Sequence, residues 1–66
     1  MITFAPLWET LKQKNISTYR LEHTFGLSKS FIYNLKHNKS ITLNTLNRLC
    51  NMFDCEISDV IEYTKD

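Results

Sequence analysis

The stretch Ser17–Asn38, STYRLEHTFGLSKSFIYNLKHN, contains two short apolar patterns on either side of the chain's only glycine. Leu21 and Phe25 are four residues apart, which is the spacing of one helix face. Gly26 readily adopts the left-handed backbone that ends a helix. Ser28 is a preferred helix N-cap, so a second helix is expected to begin directly after the turn. Two helices joined in this way form a helix-turn-helix, whose second helix enters the major groove of DNA.

The second helix of this unit has an apolar side and a polar side. With a helical rotation of about 100° per residue, Phe31, Ile32 and Leu35 cluster on the side expected to face the core. A helix face that is only solvated usually pairs acidic with basic residues one turn apart. The opposite side here carries no acidic residue; its members are Lys29, Ser30, Tyr33, Asn34 and His37. This pattern favours a surface that binds a polyanion.

A first helix is predicted before this unit and a fourth after it. Pro6 suits the first position of a helix whose apolar stripe is formed by Leu7, Trp8 and Leu11, and Asn15 is expected to end it. Ser17 is the predicted N-cap of the second helix, and Asn38 is expected to end the third, since asparagine tolerates positive φ. Thr42 is the predicted cap of a fourth helix with apolar residues at helical spacing: Leu43, Leu46, Leu49, Cys50 and Phe53.

The two ends of the chain have a different pattern. Ser58 is the predicted cap of a fifth short helical turn that carries Val60 and Ile61. Near the N-terminus Ile2 and Phe4 alternate with a polar residue, and near the C-terminus Ile61 and Tyr63 do the same. Alternation with a period of two is typical of strands, so the ends are expected to pair as a small two-stranded ribbon.

The length and composition limit the classes of protein. A chain of 66 residues allows one domain, residues 1–66, and leaves little room for an enclosed catalytic pocket. One Gly and one Pro favour helices with short connections, hence an all-α fold. No apolar run is long enough to span a bilayer, no signal peptide is recognisable, and two cysteines do not form a disulfide framework. We therefore expect a cytoplasmic protein.

The charges are unevenly distributed along the chain. From Met1 to Leu49 seven cations and two anions give +5, and from Cys50 to Asp66 one cation and five anions give −4. Residues 23–53 contain no carboxylate. A chain polarised in this way can present one basic face to a polyanion although its net charge is only +1.

Neither a metal site nor a catalytic site is predicted. Cys50 and Cys55 are five residues apart, and His23 and His37 lie far upstream, so the spacing does not match a zinc site. No nucleophile and base stand at a recognisable spacing. We expect no enzyme activity, no cofactor and no small-molecule ligand.

Each polar residue around the third helix has a chemical role toward double-stranded DNA. Asn34 can bond to an adenine edge and Lys29 to guanine, while Ser30 lies in the first turn near bases or phosphates. Tyr33 can contact a thymine methyl group or reach a phosphate. The predicted backbone contacts come from Thr18, Lys36, Lys39, His37 and Arg48, with Ser28 as cap or contact.

The residues that carry a family resemblance are spread over essentially the whole chain. They are Pro6-Leu7-Trp8, Gly26-Leu27-Ser28-Lys29-Ser30, Ile32, Leu35, Leu43, Leu46, Cys50 and the segment from Asp54 to Glu62. With them the chain resembles the XRE/Cro-type helix-turn-helix regulators, in particular short stand-alone YozG-like members. The resemblance implies a lambda-repressor-like domain of five short helices. It also implies base-reading positions at Lys29, Ser30 and Asn34 and a phosphate-binding position at Thr18.

Four residues depart from the family pattern. Small residues are usual where Phe31 and Tyr33 stand, and Phe31 is expected to be core. Alanine is common at the position of Glu22, so Glu22 either points outward or changes the helix crossing. Glycine is common at the position of Asn38. These departures affect which bases are read more than whether DNA is bound.

Two functions from different classes remain open. The first is a sequence-specific transcriptional regulator, acting as a repressor on a near-palindromic operator as a homodimer, because one unit reads only one half-site. The tail or the end of the fourth helix is the expected dimer interface. The second is a protein-binding module that has lost DNA contacts. Its surface would be the acidic segment 54–66 with exposed Met52 or Tyr63.

Overall fold

The computed structural model describes all 66 residues as four α-helices, one turn of 3-10 helix and a two-stranded ribbon. In chain order the elements are β1 Ile2–Thr3, α1 Ala5–Gln13, α2 Thr18–His23, α3 Lys29–Lys36, α4 Leu43–Phe53, the 3-10 turn Ile57–Asp59 and β2 Glu62–Tyr63. The strands pair antiparallel, with Ile2 opposite Tyr63 and Thr3 opposite Glu62. The predicted helical class and the ribbon are confirmed, and the fifth predicted helix is the single 3-10 turn.

Local capping explains where three of the helices begin. The hydroxyls of Ser17, Ser28 and Thr42 each accept a hydrogen bond from the backbone N–H three residues later, at 3.2, 3.0 and 3.0 Å. Such bonds satisfy donors that have no partner inside the helix. Left-handed residues follow the helices: Asn15, Gly26, Asn38 and Asp54 have φ of 57°, 72°, 55° and 50°. Three of the four predicted caps are therefore confirmed, as are the predicted stops at Asn15, Gly26 and Asn38.

Two predicted boundaries differ from the structure. Ser58 does not cap the last turn but lies inside it, and the backbone N–H of Glu56 donates to the Asp59 carboxylate at 2.9 Å instead. This occurs because Glu56 is the extended residue before the turn, two residues earlier than predicted. Helix α1 begins at Ala5, so Pro6 is its second residue, where a missing N–H also has no intrahelical acceptor.

The helices and the two ends share one core. Ten apolar residues are buried together: Phe4, Leu7, Leu11, Leu21, Ile32, Leu35, Leu46, Leu49, Phe53 and Val60. Trp8 and Phe31 are half-buried against this cluster. Leu43 was predicted to belong to the apolar stripe of α4, but it is the first residue of that helix and is 82% exposed. The stripe of α4 that enters the core therefore begins one turn later, at Leu46.

Two long-range hydrogen bonds fix the ends of the chain onto the helices. The side-chain oxygen of Asn38 accepts from the backbone N–H of Phe4 at 2.9 Å, directly after β1. The hydroxyl of buried Thr10 donates to the Asp59 carbonyl at 2.7 Å. Every buried side-chain polar atom has a partner. None of the helices combines the length and the apolar character that crossing a membrane requires.

Candidate nucleic-acid interface

Helix α3 is oriented by the side that it buries. Ile32 and Leu35 are 4% and 1% exposed, and Phe31 covers the edge of the core beside them. Because these three residues lie on one side, the other side must face solvent. The sequence prediction that Phe31 belongs with the core is confirmed.

Most of the predicted site residues are exposed. On α3 and just after it these are Lys29, Ser30, Tyr33, Lys36, His37 and Lys39, and on or before the helices they are Thr18 and Ser28. Asn34 is half-buried, at the flank of α3. The hydroxyl of Ser28 accepts a hydrogen bond from the backbone N–H of Phe31, so it caps α3, and its own O–H group remains free to donate.

A shallow depression between α2 and α3 brings four predicted residues together. It is lined by Thr18, Lys29, Tyr33 and Lys36, with Glu22 and Ile32 between them. A hydroxyl at the N-terminal end of α2 thus lies beside two lysines of α3. Hydroxyl and ammonium groups are donors from which phosphate oxygens can accept hydrogen bonds.

The other predicted contacts lie around this depression or away from it. Lys39 lines a different groove, beside the ribbon, although it is only three residues beyond the end of α3. Arg48 lies with Ser28 and Phe31 on a third groove, between the turn and α4. The structure therefore does not bring Arg48 into the cluster formed by Thr18 and the two lysines.

Two exposed aromatic pairs stand on the helix-turn-helix. The rings of Tyr33 and His37 have centroids 4.0 Å apart on α3, and those of Tyr19 and His23 are 4.1 Å apart on α2. Tyr19 is 70% exposed and directly follows Thr18. Tyr19 is not among the residues predicted from the sequence to contact DNA. The signal that could have found it is the repeated Tyr-x-x-x-His spacing, which puts both rings on one helix face.

Glu22 points into the depression rather than changing the core. Its Oε1 lies 4.0 Å from Nζ of Lys29, and its side chain is 31% exposed against 85% for the lysine. The pair is weak because the lysine is almost fully solvated. Of the two alternatives left open by the sequence, the structure selects the outward one, and it places one carboxylate in the candidate interface.

The lysines near the end of α3 form no ion pair within the chain. The structure contains two ion pairs, Glu22 with Lys29 and the terminal ammonium of Met1 with Asp66. Lys36 and Lys39 therefore have no acidic partner within 4.0 Å. Their charge remains available for an external anion.

The cysteines and histidines do not form a metal site. No group of three or more His, Cys, Asp or Glu residues could hold a metal ion. Cys50 and Cys55 are both half-buried and unbridged. Burial, together with the neighbouring Cys50 and Asp59, raises the pKa of the Cys55 thiol, so its neutral form is favoured.

Comparisons with known proteins agree with this geometry. The chain resembles the solved structure of the transcriptional regulator VanUg with a TM-score of 0.82 and 26% identity, over 98% of this chain and 87% of that one. A comparison with curated proteins gave no match. The family model described as the Cro/C1-type HTH DNA-binding domain matches residues 6–66. This chain therefore belongs to the Cro/C1-type helix-turn-helix DNA-binding domain family.

Proposed function

We propose that this chain, acting as a single domain of residues 1–66, is a sequence-specific DNA-binding transcriptional regulator. It inserts α3 into the major groove of a near-palindromic operator and represses transcription by occupying that site. The observation that carries the proposal is the exposed face of α3, which has no acidic residue of its own and ends in lysines without carboxylate partners. Family membership supports the same activity.

The base edges are read by the side chains nearest the N-terminal end and flank of α3. Lys29 and Ser30 lie in its first turn, and the side chain of Lys29 is 85% exposed. Asn34 reads adenine from the flank, where its half-buried position limits its rotamers. Tyr33 contacts a thymine methyl group with its ring or a phosphate with its hydroxyl.

Phosphate contacts fix the position of the domain on the duplex. Thr18 and Lys36 bind one backbone segment from the depression between α2 and α3. His37 and Lys39 bind phosphate beyond the C-terminal end of α3. These contacts carry no sequence information, so their loss should weaken all duplexes alike.

One copy of the chain reads only about one half-site. A unit with a single recognition helix makes too few base contacts to find one operator in a genome. Two copies related by a two-fold axis read a near-palindrome, with recognition helices about one DNA turn apart. We therefore propose a homodimer on DNA.

Selection of bound sequences from a random duplex pool tests this function. The expected result is enrichment of two inverted half-sites whose centres are about 10 base pairs apart. Enrichment of a single half-site would keep DNA binding and remove the homodimer. If the chain binds no duplex even at low salt, the proposal is wrong and the protein-binding module becomes the explanation.

A further inference from the structure

Two half-buried cysteines lie at the C-terminal end of α4, on either side of the residue that ends the helix. Cys50 is in the last turn of α4, and Cys55 follows Asp54, whose φ of 50° is in the left-handed region. Neither cysteine lines the depression between α2 and α3 that is proposed to bind phosphate. The proposed function therefore leaves both thiols without a role.

The backbone at this helix end forms a Schellman motif, in which two hydrogen bonds close around a left-handed residue. The N–H of Cys55 donates to the carbonyl of Cys50 at 3.0 Å, and the N–H of Asp54 donates to the carbonyl of Asn51 at 3.4 Å. The side chains of the two residues joined by the outer bond commonly contact each other in this motif. Here both of those residues are cysteines.

The two thiols are close enough to affect each other. Burial, then the neighbouring Cys50 and Asp59, raise the pKa of the Cys55 thiol, and a hydrogen bond with the Cys50 thiol adds to this rise. A disulfide requires Cα atoms about 4.4–6.8 Å apart and side chains that point toward each other. The backbone bond between the two cysteines supports the first condition, and the interaction of their thiols supports the second.

We propose that Cys50 and Cys55 are a redox-active thiol pair, which a small disulfide such as oxidised glutathione converts into an intramolecular disulfide. The thiolate of one cysteine attacks a sulfur atom of the small disulfide, forms a mixed disulfide and releases one small thiolate, which takes up a proton. The thiolate of the other cysteine then attacks the protein sulfur of the mixed disulfide and releases the second small thiol. The protein loses two protons and two electrons, which the small disulfide gains as it becomes two thiols.

The new bond would fix the turn that follows α4. It closes a loop of six residues, 50–55, and so restricts the unfolded chain, whereas the folded chain already holds the two thiols together. Phe53 within the loop and Val60 just after it are 3% and 0% exposed, so the core anchors this segment on both sides of Cys55. Oxidation should therefore stabilise the domain and make its stability depend on the thiol–disulfide balance of its surroundings.

Mass spectrometry of the full chain, after equilibration with oxidised glutathione without denaturant and at mildly alkaline pH, tests the pair. The original chain should lose two hydrogen atoms and retain no glutathione, because the second thiol displaces it. The matched controls Cys50→Ser and Cys55→Ser each keep one thiol and should instead retain one glutathione. The midpoint of thermal unfolding should rise by about 5 °C or more in the oxidised original chain. It should rise in neither control.

Each other outcome for the original chain overturns the proposal. Glutathione retained on both thiols would show that they do not meet. Oxidation that occurs only after urea is added would show that the fold keeps them apart. A bond between two chains, seen as a dimer on a non-reducing gel, would show that each thiol reacts alone. A bond within one chain that lowers the midpoint of thermal unfolding would show that it displaces the native turn.

Discussion

Glu22 places a carboxylate inside the proposed DNA interface. The fold places its carboxylate among Thr18, Lys29 and Lys36, where phosphates are proposed to lie. A carboxylate there repels every duplex, but its neighbour Lys29 is drawn toward it at 4.0 Å. We interpret Glu22 as a residue that lowers general affinity for DNA.

Replacing Glu22 with glutamine should therefore strengthen binding to random duplex. The expected gain is about 0.5–1 kcal/mol at low salt, because one exposed like charge is removed. Fluorescence anisotropy with a random duplex measures it, and Glu9→Gln, which removes an exposed carboxylate from α1, is the control. Equal affinities for the two variants would show that Glu22 does not lie near the DNA backbone.

Asn34 tests base reading at a single position. Asn34→Ala should cost about 1–3 kcal/mol at the selected operator and relax the preference at one base pair. Asn51→Ala, an exposed position on α4, should leave both unchanged. A competition assay against operators mutated at each base pair gives both quantities. Intact affinity and intact discrimination in Asn34→Ala would contradict its assignment.

At the scale of elements, sequence and structure agree where the cause is local. Ser17, Ser28 and Thr42 cap helices because a hydroxyl three residues before an N–H is sufficient. The predicted cap at Ser58 is wrong because the carboxylate of Asp59 accepts the hydrogen bond from the backbone N–H of Glu56 and so caps the turn. Periodicity also placed Leu43 on the core stripe, yet no element covers the first turn of α4. Whether a helix end is covered depends on tertiary packing that spacing does not report.

Because Leu35 is buried and Leu43 is exposed, replacing each with alanine should lower the free energy of unfolding by different amounts. Leu35 is 1% exposed in the core, so Leu35→Ala should destabilise the domain by about 2–5 kcal/mol through the cavity that it leaves. Leu43→Ala should change the free energy of unfolding by less than about 0.5 kcal/mol. Urea unfolding at micromolar concentration, where a weak dimer is dissociated, compares them. Similar losses in both variants would contradict the core described here.

The thiol of Cys55, in the turn after α4, should make the free energy of unfolding depend on pH in the alkaline range. The pKa of Cys55 is raised in the folded chain above its ordinary value of 9.0, so the unfolded chain loses this proton first. The contribution of Cys55 to stability is therefore complete below pH 9 and declines above it. Urea unfolding at pH 7 and pH 10 should show a smaller decline for Cys55→Ala than for the original chain. Identical declines would show that this thiol titrates normally.

For the whole molecule, the sequence predicted the class of fold and the exposed face of α3, since both depend on periodicity within helices. It also predicted the ribbon, although only its alternation was visible. It could not supply the bonds from Asn38 to Phe4 and from Thr10 to Asp59, which join residues far apart in the chain. Nor could it place Glu22 beside Lys29, because that contact depends on how α2 crosses α3.

The salt dependence of duplex binding tests directly whether the outer face of α3 lies along the DNA backbone. For the original chain, the logarithm of the binding constant should fall linearly with the logarithm of salt concentration, by about 0.9 per phosphate contacted. The double variant Lys36→Gln/Lys39→Gln should reduce that slope by about 2. Lys12→Gln, an exposed lysine on α1, is the control and should leave it unchanged. If the double variant keeps the slope of the original chain, its two lysines do not contact phosphate. If the control loses slope, the outer face of α3 is not the part of the chain that lies along the DNA backbone.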